Sequence, residues 1–508
     1  MCRAIRLWAV AVPLLLLSCS KNHSLTVRIV TPPGQDDPFM AASQVRLTLL
    51  DRETTAAVAS GHFSASIEIE APQDNLTGQL QLFALDGAGA VVGRGKTPSF
   101  TIQKADFEVA VYVGKPGRVT SSELVLPNDD RTAGQGRKYL AACALRGKKG
   151  TGEPGLGALV VGGETEGVFP SSKAWVFKPA AVQFLDGGAV SKGRSGAVLL
   201  PSADANVGQQ ALLVGGAGQG SELLTMTERF DPSVSTLKDV WQTPAIEIGD
   251  IGKPGMVFPS AVEVQDNVFL VSGGTTNAIS DQPGTQAVLV KRFAAEGADP
   301  LSRLGLSIVS PGLKVPRYRH STTVLATATL LFGGLTPADV AAKKPVAELY
   351  LPDQNRFSEL SFASGEPASR RGHVAGRMKN GQALIMGGYT EDALGAKTVL
   401  STGLQIDVAA RAFSQQAGVL KTGRYLASLH EDGGEWVICG GYDQNDRVLA
   451  DCEFVSTETG QPSRAPAQMP GSRAEHQVVP LENDLWLFVG GVGADKKATA
   501  AVDFYTSK

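Results

Sequence analysis

Histidine and cysteine are both scarce in this 508-residue chain, with six and five copies. The cysteines are Cys2, Cys19, Cys143, Cys439 and Cys452. No two stand in a C-x-x-C pair, so a structural zinc site has no support. Basic runs and basic tails are absent and the net charge is −3, which argues against a nucleic-acid partner. Nor is there a block of acidic residues of the kind that marks a disordered tail. No nucleophile elbow or phosphate-binding glycine loop occurs, and no EF-hand spacing is found. Catalytic residues, metal ligands and cofactors are therefore all assigned as none.

Glycine, by contrast, is plentiful, at 58 residues. Fourteen of these form seven pairs, each following a short apolar run: Gly162-Gly163, Gly215-Gly216, Gly273-Gly274, Gly333-Gly334, Gly387-Gly388, Gly440-Gly441 and Gly490-Gly491. Successive pairs are 53, 58, 60, 54, 53 and 50 residues apart. A period of about 50 residues built of short strands predicts propeller blades. Paired glycine within a strand pattern marks positive φ or close backbone approach, so a side chain there is expected to collide with the adjoining strand or turn.

The N-terminus reads as an address. Arg3 and Arg6 precede the apolar stretch Leu7–Leu17, which is too short to span a bilayer. It ends in Leu16-Leu17-Ser18-Cys19, which resembles the lipobox of bacterial lipoproteins. The resemblance implies cleavage of residues 1–18 as a signal peptide and lipid on Cys19. Residues 19–23 then form a lipidated tether, and Ser20 after the cysteine favours the outer membrane of the bacterial cell envelope. From 24 to 117, period-2 alternation recurs in Leu25–Val30, Gln44–Leu49, His62–Glu70, Gln79–Phe83 and Phe107–Val113. Short strands without an amphipathic helix predict a small immunoglobulin-like or transthyretin-like β-sandwich.

Residues 118–508 repeat one order of parts. A polar lead-in, often with arginine, runs into a strand; a second strand ends at the glycine pair; two further strands follow. Aromatic or large apolar residues seven apart, as in Phe177 and Phe184, Phe230 and Leu237, Tyr350 and Phe357, and Ile406 and Phe413, mark the third and fourth strands. This pattern resembles the kelch-repeat β-propellers, and the resemblance implies an all-β fold with a seven-bladed propeller. The last repeat lacks a fourth strand, and residues 119–126 are expected to complete it, leaving no exposed edge.

Arg194, Arg317, Arg371, Arg424 and Arg473 each lead into a first strand. Arrayed around a ring, they would converge at one channel mouth and could hold a carboxylate; the alternative is that each satisfies carbonyls or a carboxylate between blades. His320, His373 and His476 share one repeat position, which suggests packing. Cys439 and Cys452 fall on neighbouring strands and are a possible disulfide. Acidic and amide residues after the glycine pairs (Glu164, Glu166, Asn277, Asp281, Glu391, Asp392, Asp443, Asn445 and Asp446) are read as solvated loop charges. The expected function is that of a lipid-anchored envelope scaffold, monomeric, binding an unknown protein or glycan through one propeller face. The alternatives are an enzyme resembling sialic-acid epimerases, using the arginines, and a copper-radical oxidase.

Overall fold

A computed structural model of the chain describes residues 11–18, 21–63, 77–101, 107–128, 136–147, 155–165, 170–202, 208–233, 240–242, 256–276, 282–292, 304–309 and 311–508. The fold is all-β, with 51% strand against 4% helix. Cys19 lies outside the described residues, as do residues 64–70 of the expected His62–Glu70 strand.

Seven of the N-terminal strands, expected as parts of a sandwich, hydrogen-bond into one curled mixed sheet, and Thr77–Gly78 pairs with Phe100–Thr101 apart from it. Its order is Ala11–Ser18, Lys21–Val30, Phe107–Gly114, Val91–Lys96, Leu80–Leu85, Gln44–Leu49 and Arg52–Ala57. The Lys21–Val30 strand runs parallel to Phe107–Gly114. Alternation along Phe107–Gly114 gives this strand two buried faces. Val109, Val111 and Val113 enter the core of the curled sheet with Val45, Leu47 and Leu82. Ala110 and Tyr112 enter a different core, with Phe177 and Phe504 of the repeat region. Tyr112 stacks 4.6 Å from Phe504, and its hydroxyl donates to the Ser121 carbonyl at 2.9 Å. Asp484 accepts from Arg94 and Lys96 across the same junction. The N-terminal sheet is thus docked on the repeats through a shared strand.

The repeat region folds into seven four-stranded antiparallel sheets. They are numbered here by their first strands: Ala141–Leu145, Val198–Ser202, Ser260–Gln265, Ser321–Val324, Val374–Arg377, Ser428–Asp432 and Gln477–Pro480. Five of the sheets are built of consecutive strands, the fifth sheet has the hairpin Tyr389–Glu391 and Lys397–Val399 inserted between its second and third strands, and the seventh takes Arg118–Val125 as the partner of Ala501–Thr506. First strands of successive sheets touch, and the first strand of sheet one also touches that of sheet seven. Phe177 faces Phe184, Tyr350 faces Phe357 and Ile406 faces Phe413 across third and fourth strands. Phe230 faces Trp241; Leu237, its expected partner, lies outside the described residues.

The glycine pairs stitch the sheets to one another. All fourteen glycines have positive φ. The N–H of each second glycine donates to the carbonyl of the residue leading into the next sheet: Gly163 to Arg194, Gly216 to Met256, Gly274 to Arg317, Gly334 to Arg370, Gly388 to Arg424, Gly441 to Arg473, and Gly491 back to Arg137, at 2.8–3.0 Å. That last bond returns the series to its start. A Cβ on Gly440 would overlap the Arg473 carbonyl oxygen. The pair is therefore fixed by the approach of the next sheet's backbone as well as by its own turn.

Cys439 and Cys452 sit directly opposite on the second and third strands of sheet six and form a disulfide. Cys143 is a buried free thiol, and burial pushes its pKa up to about 12.

Candidate functional site

The lead arginines do not open onto a channel. Arg317 is fully buried, and its guanidinium donates to the carbonyls of Gly333 (2.6 Å), Val346 (2.8 Å) and Pro345 (3.0 Å) and to the Glu348 carboxylate (2.9 Å). Arg194 reaches the Gly215 carbonyl and pairs with Glu228. Arg424 reaches the Gly440 carbonyl and pairs with Glu453 and Asp451. Arg473 reaches the Gly490 carbonyl and pairs with Asp503 at 2.6 Å. Each ties the start of its first strand to the glycine pair of its own sheet. Burial depresses the pKa of Arg194, Arg317 and Arg473, against the pull of the partner carboxylate. The hydrogen bonds of these groups are thus used within the fold, as in the alternative in which each arginine satisfies carbonyls and a carboxylate.

Arg371 is placed differently from the other four. In sheet five the equivalent position belongs to Arg370, which donates to the carbonyls of Gly387 and Thr402. Arg371 instead donates to the Leu335 carbonyl and to Glu391.

The shared histidines act between sheets. His320 bonds Ser272, His373 bonds Ser321 and His476 bonds Ser428, each through Nε2 to a serine of the preceding sheet. Burial holds His320 and His373 neutral, lowering each pKa to about 3, with the neighbouring arginine charge adding to the shift.

Two residues beyond each lead position, the chain turns into the left-handed region. Tyr139, Gly196, Phe258, Arg319, Gly372, Leu426 and Glu475 occupy this position, with φ between 52° and 65°. Five of the seven are non-glycine, a conformation that costs of order 1 kcal/mol or more for each. Backbone bonds link neighbours in this circle: Gly196 N–H to Tyr139 (2.9 Å), Phe258 to Gly196 (2.7 Å), Gly372 to Arg319 (2.9 Å), Leu426 to Gly372 (2.8 Å) and Glu475 to Leu426 (3.2 Å). Two arcs result, and Arg319 and Glu475 stand at the ends of the longer one.

A cavity of about 260 Å³ opens at this circle, lined by Tyr139, Phe258, Tyr318, Arg319, Glu475 and His476 among others. Tyr139 meets Phe258 edge-on at 4.9 Å. The Arg319 guanidinium lies 5.1 Å from the centre of the Tyr318 ring. Burial first, and then the charge of the nearby Glu475 carboxylate, raises the phenol pKa values of Tyr139 and Tyr442. Beside the cavity, Tyr389, Tyr425 and Tyr442 form a contiguous aromatic series with centroids 5.2 Å apart. The surrounding charges are paired: Lys138 with Glu164, Arg371 with Glu391, and Lys397 with Asp446. Asp392 and Asp443 accept from backbone N–H groups of their own turns. Glu166, Asn277 and Asp281 lie outside the described residues.

The sequence reading missed these wall residues because the position has no fixed residue type. Its signal was an invariant offset, two residues past each lead residue, combined with variable chemistry. Neither a family model nor a curated protein matches the chain.

Proposed function

We propose that the protein is a lipid-anchored, non-enzymatic binding scaffold of the bacterial cell envelope. In this reading the seven sheets are the blades of a kelch-type propeller, the curled N-terminal sheet is a sandwich-like unit between anchor and propeller, and Cys19 carries the lipid. The ordered series of first-strand contacts and the seven glycine-to-carbonyl bonds support the propeller. Cleavage before Cys19 would remove the Ala11–Ser18 edge strand and leave the remaining strands of that sheet in place.

The observation that carries the binding reading is the axial cavity with its aromatic and charged wall. Concave sites with apolar walls and a few convergent polar groups are where proteins take ligands. An enzyme acting on an acidic sugar through Arg194, Arg317, Arg371, Arg424 and Arg473 finds no support in their placement. The test is binding of the chain from Cys19 onward to a glycan array and to envelope extract, with Leu426→Trp filling the cavity from a residue of its wall. Binding that disappears in this variant, with melting unchanged, supports the reading. Undiminished binding by Leu426→Trp refutes the cavity as the site.

A further inference from the structure

The cavity wall carries one positive and one negative side chain, Arg319 and Glu475. Neither belongs to an ion pair of 4 Å or less among the described residues, while the lysines and arginine beside them do. The two feel each other's charge without closing onto one another. Arg319 lies against the Tyr318 ring and Glu475 faces the same cavity, and among the described residues neither has an opposite charge within ion-pair distance. A buried or half-buried charge is costly unless it is paired. A fold that pairs Lys138, Arg371 and Lys397 beside the cavity and leaves Arg319 and Glu475 apart has room for a ligand between them.

From this we infer that the axial cavity binds a small zwitterion, a molecule of amino-acid or dipeptide size whose carboxylate meets Arg319 and whose ammonium meets Glu475. The inference rests on the binding reading above and names its ligand class. Size agrees: about 260 Å³ lies just under the roughly 300–1,000 Å³ of sites for drug-sized molecules, too small to enclose an oligosaccharide. The wall agrees as well. The rings of Tyr139, Tyr318 and Phe258 suit an apolar side chain. His476 also lines the cavity; its Nε2 is bonded to Ser428, and its buried Nδ1 has no partner. A site with one charge of each sign discriminates against a simple anion and a simple cation alike, because either would leave one wall charge desolvated and unmatched.

The experiment is a melting and calorimetric titration of the chain from Cys19 onward with free amino acids and dipeptides, followed by the N-acetyl and amide forms of the best binder. The zwitterion is expected to bind, and blocking either end to weaken binding about tenfold or more, as loss of a charged hydrogen bond does. Glu475→Gln should erase the penalty for acetylation and leave that for amidation; Arg319→Gln should do the reverse. A structural role for either residue would not produce this exchange. An N-acetyl or amide form that binds as tightly as the zwitterion overturns the inference. So does the absence of any shift at millimolar amino acid while Leu426→Trp still abolishes capture from extract; the cavity reading then stands without this ligand class. Undiminished capture by Leu426→Trp removes both.

Discussion

Replacing Arg317 by methionine tests whether the lead arginines hold the sheets. The side chain is buried, and five hydrogen bonds leave it: three to carbonyls of Gly333, Val346 and Pro345 and two to Glu348. Methionine fills much of the volume and supplies no donor. Glu348, itself fully buried, would keep only the N–H groups of Lys314 and Val315. Stranding a buried charge costs about 3–5 kcal/mol. Arg370 provides the control. It occupies the same position, and among the described residues its guanidinium bonds two carbonyls and a threonine hydroxyl and no carboxylate, so Arg370→Met should cost about 1–3 kcal/mol, as for lost bonds to a charged donor. The assay is the urea midpoint of each variant with slopes compared to the parent. Arg317→Met/Glu348→Gln should recover part of the loss by removing the stranded charge. If Arg317→Met were no more damaging than Arg370→Met, the ion pair would not be what anchors sheet four, and the reasoning would fail.

Other predictions follow from the same geometry. Gly440→Val should lower stability by roughly 1–3 kcal/mol, since it combines a φ of +64° with overlap on the Arg473 carbonyl; Gly381→Ala, in open space, should cost less in the same melt. Native protein should leave Cys143 unmodified by a thiol reagent under non-reducing conditions, because the thiol is buried and its pKa is raised, and peptide mapping should recover Cys439 joined to Cys452; rapid native labelling at Cys143 would contradict its burial. His320, His373 and His430 stay neutral in the fold down to about pH 3, whereas an unfolded histidine takes its proton near 6.5. Each therefore stabilises the fold above about pH 6.5, and this contribution is lost as pH falls toward 3, by at most about 1.4 kcal/mol per unit. His373→Gln should flatten the fall in urea midpoint between pH 7 and 5 relative to the parent. Mass spectrometry of the chain expressed in a bacterium should find a mature N-terminus at Cys19 carrying lipid, and Cys19→Ala should abolish the modification; an unmodified mature chain would refute the anchor.

The β character was legible because it rests on short-range pattern. Alternation along Gln44–Leu49 puts Val45, Leu47 and Leu49 inside, and the seven-residue step from Tyr350 to Phe357 is the length of a tight turn between facing residues. Single curled connectivity in the N-terminal sheet was not legible, since Lys21–Val30 meets Phe107–Gly114 across almost the whole domain. For the site, the sequence places arginine at a fixed repeat position and leaves both directions open. A guanidinium that reaches inward to a glycine carbonyl and one that points to an axis look the same in sequence. Arg319 and Glu475 were visible only as neighbours of more regular residues, because what selects them is a backbone turn that seven different local sequences make.

The pairing of Arg118–Val125 with Ala501–Thr506 sets a schedule for the growing chain. Some 375 residues separate the two strands. At ribosomal rates of roughly 5–20 residues per second, the earlier strand waits about 20–75 s for its partner. Throughout that interval it is an unpaired edge while the intervening sheets are made. A stop before residue 501 would remove Ala501–Thr506 and leave both Arg118–Val125 and Leu485–Val489 without the strand they share.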